Sequence, residues 1–427
     1  MVAKKNYKKR VVDSLLQDQL EAAGVVLIEG AKWCGKTTTA EQQAASVLYM
    51  NDPKTQTSNM RLAETDINVL LEGKTPRLID EWQVAPQLWD AARFLVDHRS
   101  EEGQIIFTGS AEPADQSKMM HSGTGRVGWV KMRPMSLWES EDSNGKISLS
   151  DLFANNFHPV ASKDTSLREL CYLVCRGGWP KAVGKSEKAS LMQSFNYVDA
   201  IAKREMKEVE NINRSEQNTR LLLRCCARHQ AAPISVGTIA ADFSQHENSK
   251  VSDETIRSYL NALRKLFVIE DLSAWNPNLR SKAAIRTSDT HYFVDPSIAT
   301  AALGVGPDDL MKDLNTLGLL FETMAVRDLR VYTEALDGSV YHYRDNNGLE
   351  CDAVLHLRNG HYGLVEVKLG GDTLIDEGAK NLQLLAKKID TDRMYAPSFQ
   401  MVLTGVGQYS YQRPDGVFVV PITVLKP

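Results

Sequence analysis

Gly30-Ala31-Lys32-Trp33-Cys34-Gly35-Lys36-Thr37 decides how the rest of this 427-residue chain is read. It fits G-x-x-x-x-G-K-[ST] without a gap, follows the apolar run Val25-Val26-Leu27-Ile28, and opens a stretch of helical character. In that setting the glycines let backbone N–H groups wrap phosphates, and the N-terminus of the helix adds favourable partial charge. Gly30, Cys34, Gly35, Lys36, Thr37 and Thr38 are the expected nucleotide contacts. Lys36 is placed for the β- and γ-phosphates and Thr37 for a magnesium ion, so ATP with Mg2+ is the expected ligand.

A second half-site lies downstream. Leu78-Ile79-Asp80-Glu81 reads as a strand ending in adjacent acids. Asp80 is expected to hold the metal through water and Glu81 to polarise the attacking water. Phe107-Thr108-Gly109-Ser110 reads as another strand, ending in hydroxyls, with Ser110 or Thr108 poised to sense the γ-phosphate. Arg126, after a glycine-rich polar stretch, is either a stabiliser of transition-state charge, in its own subunit or a neighbour's, or a surface residue before the next strand.

These half-sites sit in a pattern of alternating β-rich and helical runs, which points to a parallel sheet. The strand runs are Val25 to Ile28, Ser46 to Tyr49, Arg77 to Ile79 and Gln104 to Phe107, with a helix over Leu88 to His98. At roughly 150 residues per domain the length suggests about three domains. The composition is 43% hydrophobic and 24% charged with a net charge of -4, which suits folded cores and excludes a chain dominated by disorder. No stretch approaches the roughly 18 apolar residues of a membrane span. No apolar segment follows the basic start Lys4 to Arg10, so a secretory signal is not expected and the reading is cytoplasmic. The six cysteines form no Cys-x-x-Cys pair; Cys171 and Cys175, four apart in apolar helical sequence, read as core. Without a strong basic balance, any contact with nucleic acid must use local patches.

Residues 165–232 read as helices broken at Gly177-Gly178-Trp179-Pro180. Residues 233–275 read as helix, turn, helix and short strand. Ser252 is a candidate N-cap, and Ile256, Tyr259, Leu260, Leu263 and Leu266 form an apolar stripe. With Phe267-Val268-Ile269 as the strand of a wing, this is a winged-helix pattern. Arg257, Asn261, Arg264 and Lys265 could face DNA, but Asp253 and Glu254 at the tip would be repelled, which favours a scaffold role.

The last third carries Glu322 on an apolar-rich helix, then Asp352, then Glu366-Val367-Lys368 in a strand. Glu…Asp…Glu-x-Lys is the pattern of PD-(D/E)XK nucleases. Asp352 and Glu366 would bind Mg2+ or Mn2+, Glu322 would add a ligand, and Lys368 would position water beside a phosphate. The turn at Asn359-Gly360 tests this. A strict two-residue hairpin sets Asp352 opposite Val367, away from Glu366. One extra residue, or a bulge, sets Asp352 opposite Glu366.

The ordered set Tyr7…Arg10, Gly30 to Thr37, Leu78 to Gln83, Phe107 to Ser110, Gly125-Arg126, Pro134-Met135-Ser136, Gly177 to Pro180 and Phe293-Val294-Asp295-Pro296 resembles a widespread prokaryotic family. Its members are AAA+ superfamily ATPases with a C-terminal domain of unknown function related to restriction endonucleases. Lys32-Trp33-Cys34 replaces a more usual arginine-containing loop, and Thr124 stands where alanine is common. The expected architecture is α/β. It comprises a P-loop AAA+ ATPase core (1–162), a helical lid (163–232), a winged-helix module (233–290) and a restriction-endonuclease-like domain (291–427). The expected function is an ATPase coupled to DNA binding or cleavage. The alternatives are a nucleotide-gated switch with a silent nuclease fold that acts through protein partners, and a winged-helix regulator. The oligomeric state stays open.

Overall fold

The computed structural model describes residues 7–111, 124–163, 165–209, 212, 214–232, 235–246, 251–277 and 289–427. Lys4, Lys5 and Gly123 lie outside the described residues. The chain packs into two units: residues 1–134 with 204–214 and 262–268, and residues 135–203 with 215–261 and 269–427.

In the first unit, β1 (Val25–Glu29), β2 (Ser46–Tyr49), β3 (Arg77–Asp80), β4 (Ile105–Gly109) and β5 (Val127–Lys131) form one sheet, all parallel, in the order β2-β3-β4-β1-β5. Four of these strands are the expected ones, and β5 adds an edge. The central strands β1 and β4 are continuous apolar runs because helices cover both of their faces. Side chains of β1 alternate between two cores. Val25 and Leu27 pack with Trp82, Trp89 and Phe107, while Val26 and Ile28 pack with Leu16, Ala40 and Ile106. The edge strands β2 and β5 leave Tyr49 and Trp129 exposed.

In the second unit, β6 (Ile147–Ser148), β7 (Ile269–Leu272) and β8 (Thr290–Phe293) precede a six-stranded mixed sheet. That sheet is built from β9 (Gly338–Arg344), β10 (Glu350–Leu357), β11 (Tyr362–Lys368), β12 (Phe399–Thr404), β13 (Tyr411–Gln412) and β14 (Phe418–Pro421), in the order β13-β14-β12-β11-β10-β9. Helix Asp372–Lys388 covers one face through Ile375, Leu382 and Leu385 against Val354, Leu364 and Val402. A last strand, β15 (Leu425–Lys426), returns to pair with β6.

Two expected boundaries move. Residues 135–162 were assigned to the ATPase core. Instead β6 pairs in parallel with β15, Ser143 Oγ donates to Leu425 O at 2.7 Å, and Phe153 packs edge-on against Phe399. Helix Pro296–Leu303 was assigned to the C-terminal domain, yet it packs among helices Leu167–Arg176, Glu187–Ala200 and Glu216–Arg228. The expected strand at Phe267 also begins later, at Ile269. Phe267 takes a left-handed φ of 54°, and Val268 N donates to Leu263 O at 2.9 Å, which closes helix Asp253–Lys265 before β7 can start.

Three of the motifs that carry the resemblance, around Met135, Gly177 to Pro180 and Asp295, meet in a buried structural junction. Met135 N donates to Gly178 O at 2.7 Å, and Gly178 N donates to Asp295 Oδ2 at 2.8 Å. Trp179 Nε1 donates to Ser297 Oγ at 2.9 Å. Gly177 sits at φ 67°, and a Cβ there would lie 2.1 Å from Asp295 Oδ1, so both conformation and space require glycine. Arg327 pairs with Asp295 at 2.8 Å and with Asp328 at 2.7 Å, all three side chains fully buried. Cys171 and Cys175 are buried, as are the other four cysteines, and none is in a disulfide.

Candidate functional site

The phosphate loop turns out of β1 and into helix Lys36–Gln43. Gly30 has φ 147°, and a Cβ on it would lie 2.0 Å from Met132 O; Gly35 sits left-handed at φ 108°. Gly35 is the N-cap of the helix and no side chain caps it, so first-turn N–H groups are left for an anion. Cys34 contributes backbone only: its N–H donates to Ala31 O at 3.4 Å, and its buried thiol points at Met132 O. Trp33, within the loop, is 41% exposed.

The buried Lys36 ammonium donates to Gly30 O at 2.7 Å and Ala31 O at 2.9 Å. An ammonium carries three donors, so one remains for a phosphate oxygen. Thr37 Oγ1 donates to Asp80 Oδ1 at 2.6 Å, and Thr108 Oγ1 donates to the same oxygen at 2.7 Å. Strand order explains this meeting: β4, which carries Thr108, lies between β1 and β3, so the ends of three parallel strands converge. Burial raises the Asp80 carboxyl above its ordinary range, opposed by the two hydroxyl donors. Glu81 follows with left-handed φ 59°, and Ser110 Oγ donates to its Oε2 at 3.1 Å. The donor set of Thr37 and Asp80 suits a hard divalent cation such as Mg2+. Lys32 pairs with Glu205 at 2.6 Å, where helix Glu187–Ala200 runs on into a π-helical turn, Ile201–Glu205.

Arg126 is not brought to this cluster. Its carbonyl accepts from Val25 N at 3.1 Å, at the start of β1, whereas the phosphate loop follows the far end of that five-residue strand. At about 3.3 Å per residue, the strand's length separates them. The Arg126 side chain pairs instead with Asp97 at 2.6 Å. A role for Arg126 on the phosphate of its own subunit is therefore corrected. Sequence reasoning also passed over Gln83, whose Nε2 donates to Glu81 Oε2. Its signal was only its position two residues after the acid.

In the C-terminal sheet the looser turn is the one adopted. Arg358-Asn359-Gly360 makes a three-residue turn, with Gly360 at φ 89° and Leu357 N donating to His361 O at 2.8 Å. Ala353 pairs with Val365, so the next pair sets Asp352 opposite Glu366. The β9–β10 register also shifts between Cys351 and Val354. Lys368 Nζ lies 2.7 Å from Glu366 and 3.8 Å from Asp352, and Val367 N donates to Asp352 Oδ2 at 2.7 Å. Glu322 accepts a hydrogen bond from Tyr292 Oη at 2.6 Å. Gly378 makes room above: a Cβ on it would lie 3.3 Å from Glu366 Cβ and 3.5 Å from Lys368 Cε. Glu366 Oε1 is buried with no hydrogen-bond partner among the described residues.

The expected three-carboxylate metal centre is not assembled. Among the described residues no group of three or more His, Cys, Asp or Glu side chains is arranged to hold a metal ion. Physically, Lys368 fills the space between Asp352 and Glu366, and Tyr292 engages Glu322.

Burial, then the neighbouring Asp352, pushes Glu366 up to about 8, while Lys368 pulls it down. Burial and Asp352 likewise raise Glu322 well above the carboxylate range. The folded state therefore holds a proton on Glu366 that the unfolded chain has lost between the ordinary carboxylate range and about 8. That group's contribution to stability falls as pH rises through this window. Glu366→Gln removes the dependence. Its melting temperature relative to wild type is expected to rise from pH 5 to pH 8 in thermal scans, and a difference flat with pH would contradict the assignment.

Residues 22–141 match a family described as an AAA domain. Residues 167–309 match the domain of unknown function DUF8612, and residues 317–425 match the domain of unknown function DUF4143. Among curated proteins the chain is similar to the uncharacterized protein Rv2008c of Mycobacterium tuberculosis and to Mb2031c of Mycobacterium bovis. Each is 24% identical over 364 residues, 84% of this chain and 74% of the relative. Among solved structures it is similar to the Walker-type ATPase PABY2304 of Pyrococcus abyssi. The identity is 13% and the TM-score 0.41, over 71% of this chain and 99% of that one. Among the described residues no helix is long and apolar enough to cross a membrane. The residues that carry the phosphate loop are thus similar to an AAA domain.

Proposed function

We propose that this protein is a magnesium-dependent ATPase whose nucleotide cycle is coupled to a C-terminal nuclease-like domain acting on DNA. The observation that carries the ATPase reading is the convergence of Thr37 and Thr108 on Asp80, beside a buried Lys36 and an uncapped helix N-terminus. The backbone N–H groups of Lys36, Thr37 and Thr38 wrap the phosphates. Lys36 moves from the loop carbonyls to the transferred phosphate. Thr37 and Asp80 would hold Mg2+, and the ion would supply positive charge to the phosphate oxygens. Glu81 orients and polarises the attacking water, with Ser110 steadying its carboxylate.

The nuclease-like reading rests on the register that faces Asp352 with Glu366 and on Lys368 between them. Asp352 and Glu366 would face a divalent ion once Lys368 swings off Glu366, and Lys368 would then serve the water nucleophile. Helices Val236–His246 and Asp253–Lys265, with β7 and β8, fit a winged-helix scaffold in which Arg257 is exposed. A second reading has its own observation. The 2.7 Å Lys368–Glu366 pair closes the site, which favours a catalytically silent fold that relays nucleotide state to a protein partner.

The test is cleavage of circular and linear DNA with Mg2+ or Mn2+, with and without ATP. The coupled-nuclease reading predicts cleavage that is lost in Asp352→Ala and altered in Lys36→Ala. No cleavage under any condition, with ATP turnover intact, contradicts it and leaves the switch.

A further inference from the structure

We infer that Gln83 is a positioning residue for ATP hydrolysis. It pins one oxygen of the Glu81 carboxylate so that the other faces the attacking water. The inference rests on the ATPase reading above and assigns a role to a side chain that reading does not use.

Local chain geometry puts the two side chains together. Glu81 follows β3 in the left-handed region at φ 59°, ψ 42°, a conformation disfavoured for a non-glycine residue. The chain then enters the tight turn Trp82–Val84, with Val84 N donating to Glu81 O at 3.2 Å. This reversal brings residue 83 back beside residue 81. Gln83 Nε2 donates to Glu81 Oε2, and Ser110 Oγ, from the end of β4, donates to the same oxygen at 3.1 Å. Among the described residues Oε1 receives only the longer 3.4 Å approach of Ser110. A carboxylate has about four acceptor positions, so the donors crowd on Oε2 and Oε1 keeps capacity for water.

The donor end of the amide is the end that meets Glu81, while its buried Oε1 has no hydrogen-bond partner among the described residues. Its Oε1 is directed at the backbone of Gly109, where a Cβ would come within 3.1 Å of it. Turned over, the amide would set its carbonyl oxygen against a carboxylate, which only accepts. Trp82, tilted against Trp89 at 5.2 Å and stacked on Phe107 at 5.4 Å, anchors the turn in the core. Glu81 is thus held from two directions, by a rigid turn on its own strand and by the neighbouring strand. Displacements of about 1 Å in such a group can lower a rate by about 10²-fold.

Gln83→Met tests this, because methionine keeps the volume but supplies no donor. The expected result is a 10- to 100-fold fall in kcat for ATP, with KM and the affinity for a fluorescent ATP analogue within twofold of wild type. Ser110→Ala, which removes the other anchor on Oε2, is expected to act in the same direction. In a Glu81→Gln background, Gln83→Met is expected to add no further loss, since it acts through the carboxylate. Wild-type kcat in Gln83→Met would overturn the inference, as would an undiminished loss in the Glu81→Gln background. A wild type without magnesium-dependent turnover would remove the ATPase reading and this inference with it.

Discussion

Lys36→Ala is expected to lower ATP turnover about 10²- to 10³-fold, the loss that follows removal of one well-placed charge stabiliser. The side chain works twice in this site. Before nucleotide arrives, its bonds to Gly30 O and Ala31 O tie the loop's opening carbonyls to the helix. With nucleotide present, the same ammonium would supply the only lysine charge that the loop itself buries, since Lys32 is engaged with Glu205 at 2.6 Å. Alanine removes both the tether and the charge, so nucleotide affinity is expected to fall together with kcat. Steady-state phosphate release and titration with a fluorescent ATP analogue read the two effects. Turnover within threefold of wild type would contradict the assignment of Lys36.

The largest stability effect is expected from Arg327→Met, about 3–5 kcal/mol, as for other buried pairs broken by removal of one partner. The guanidinium donates to Asp295 Oδ2 at 2.8 Å and twice to Asp328 Oδ1, at 2.9 and 2.7 Å. Asp295 in turn accepts from Gly178 N and Ser297 N, and Asp328 Oδ2 accepts from Leu137 N at 2.9 Å. Methionine fills the space yet leaves two buried carboxylates unpaired. Burial already pushes Asp328 up to about 6 even with Arg327 beside it. In the variant Asp328 loses the cation that opposes its burial and can relieve that burial only by taking up a proton, which the unfolded chain does not hold at neutral pH. The deficit is therefore expected to grow as pH rises above about 6. Denaturant melts at pH 6 and pH 8 check this. Asp295→Asn and Asp328→Asn added to Arg327→Met are expected to recover part of the loss. An Arg327→Met melt equal to wild type at pH 8 would show that the network is not what holds helices Pro296–Leu303 and Leu314–Glu334 together.

The parts of this account that were legible in sequence are those written in contiguous residues. Gly30 to Thr37 announces a phosphate loop by itself because the turn, the helix start and the lysine all lie within eight positions. The apolar runs of β1 and β4 likewise declared buried parallel strands. Arg126 misled because its short glycine-rich segment says nothing about which end of the sheet it reaches. Only the parallel pairing of Val25 with Val127 puts it at the wrong end. The hairpin could be posed as two alternatives but not decided, since the choice turns on whether Gly360 takes φ 89° in a three-residue turn. The return of β15 to β6 joins residues at opposite ends of the second unit's sequence, which no local pattern encodes. The charged pair Arg327-Asp328, inside the apolar run Met324-Ala325-Val326 and Leu329, was a readable sign of a buried network. Its partner Asp295 was quoted only as part of a motif.

The central claim is that Thr37, Asp80 and Lys36 form a working ATP site, with Glu81 driving the water. Phosphate release by purified full-length protein, with ATP and Mg2+, with ATP and excess EDTA, and in Glu81→Gln, measures it directly. The account predicts turnover that needs Mg2+ and that falls at least about 10²-fold in Glu81→Gln, while that variant still binds the nucleotide. Phosphate release equal in wild type and Glu81→Gln, or indifferent to EDTA, would contradict it.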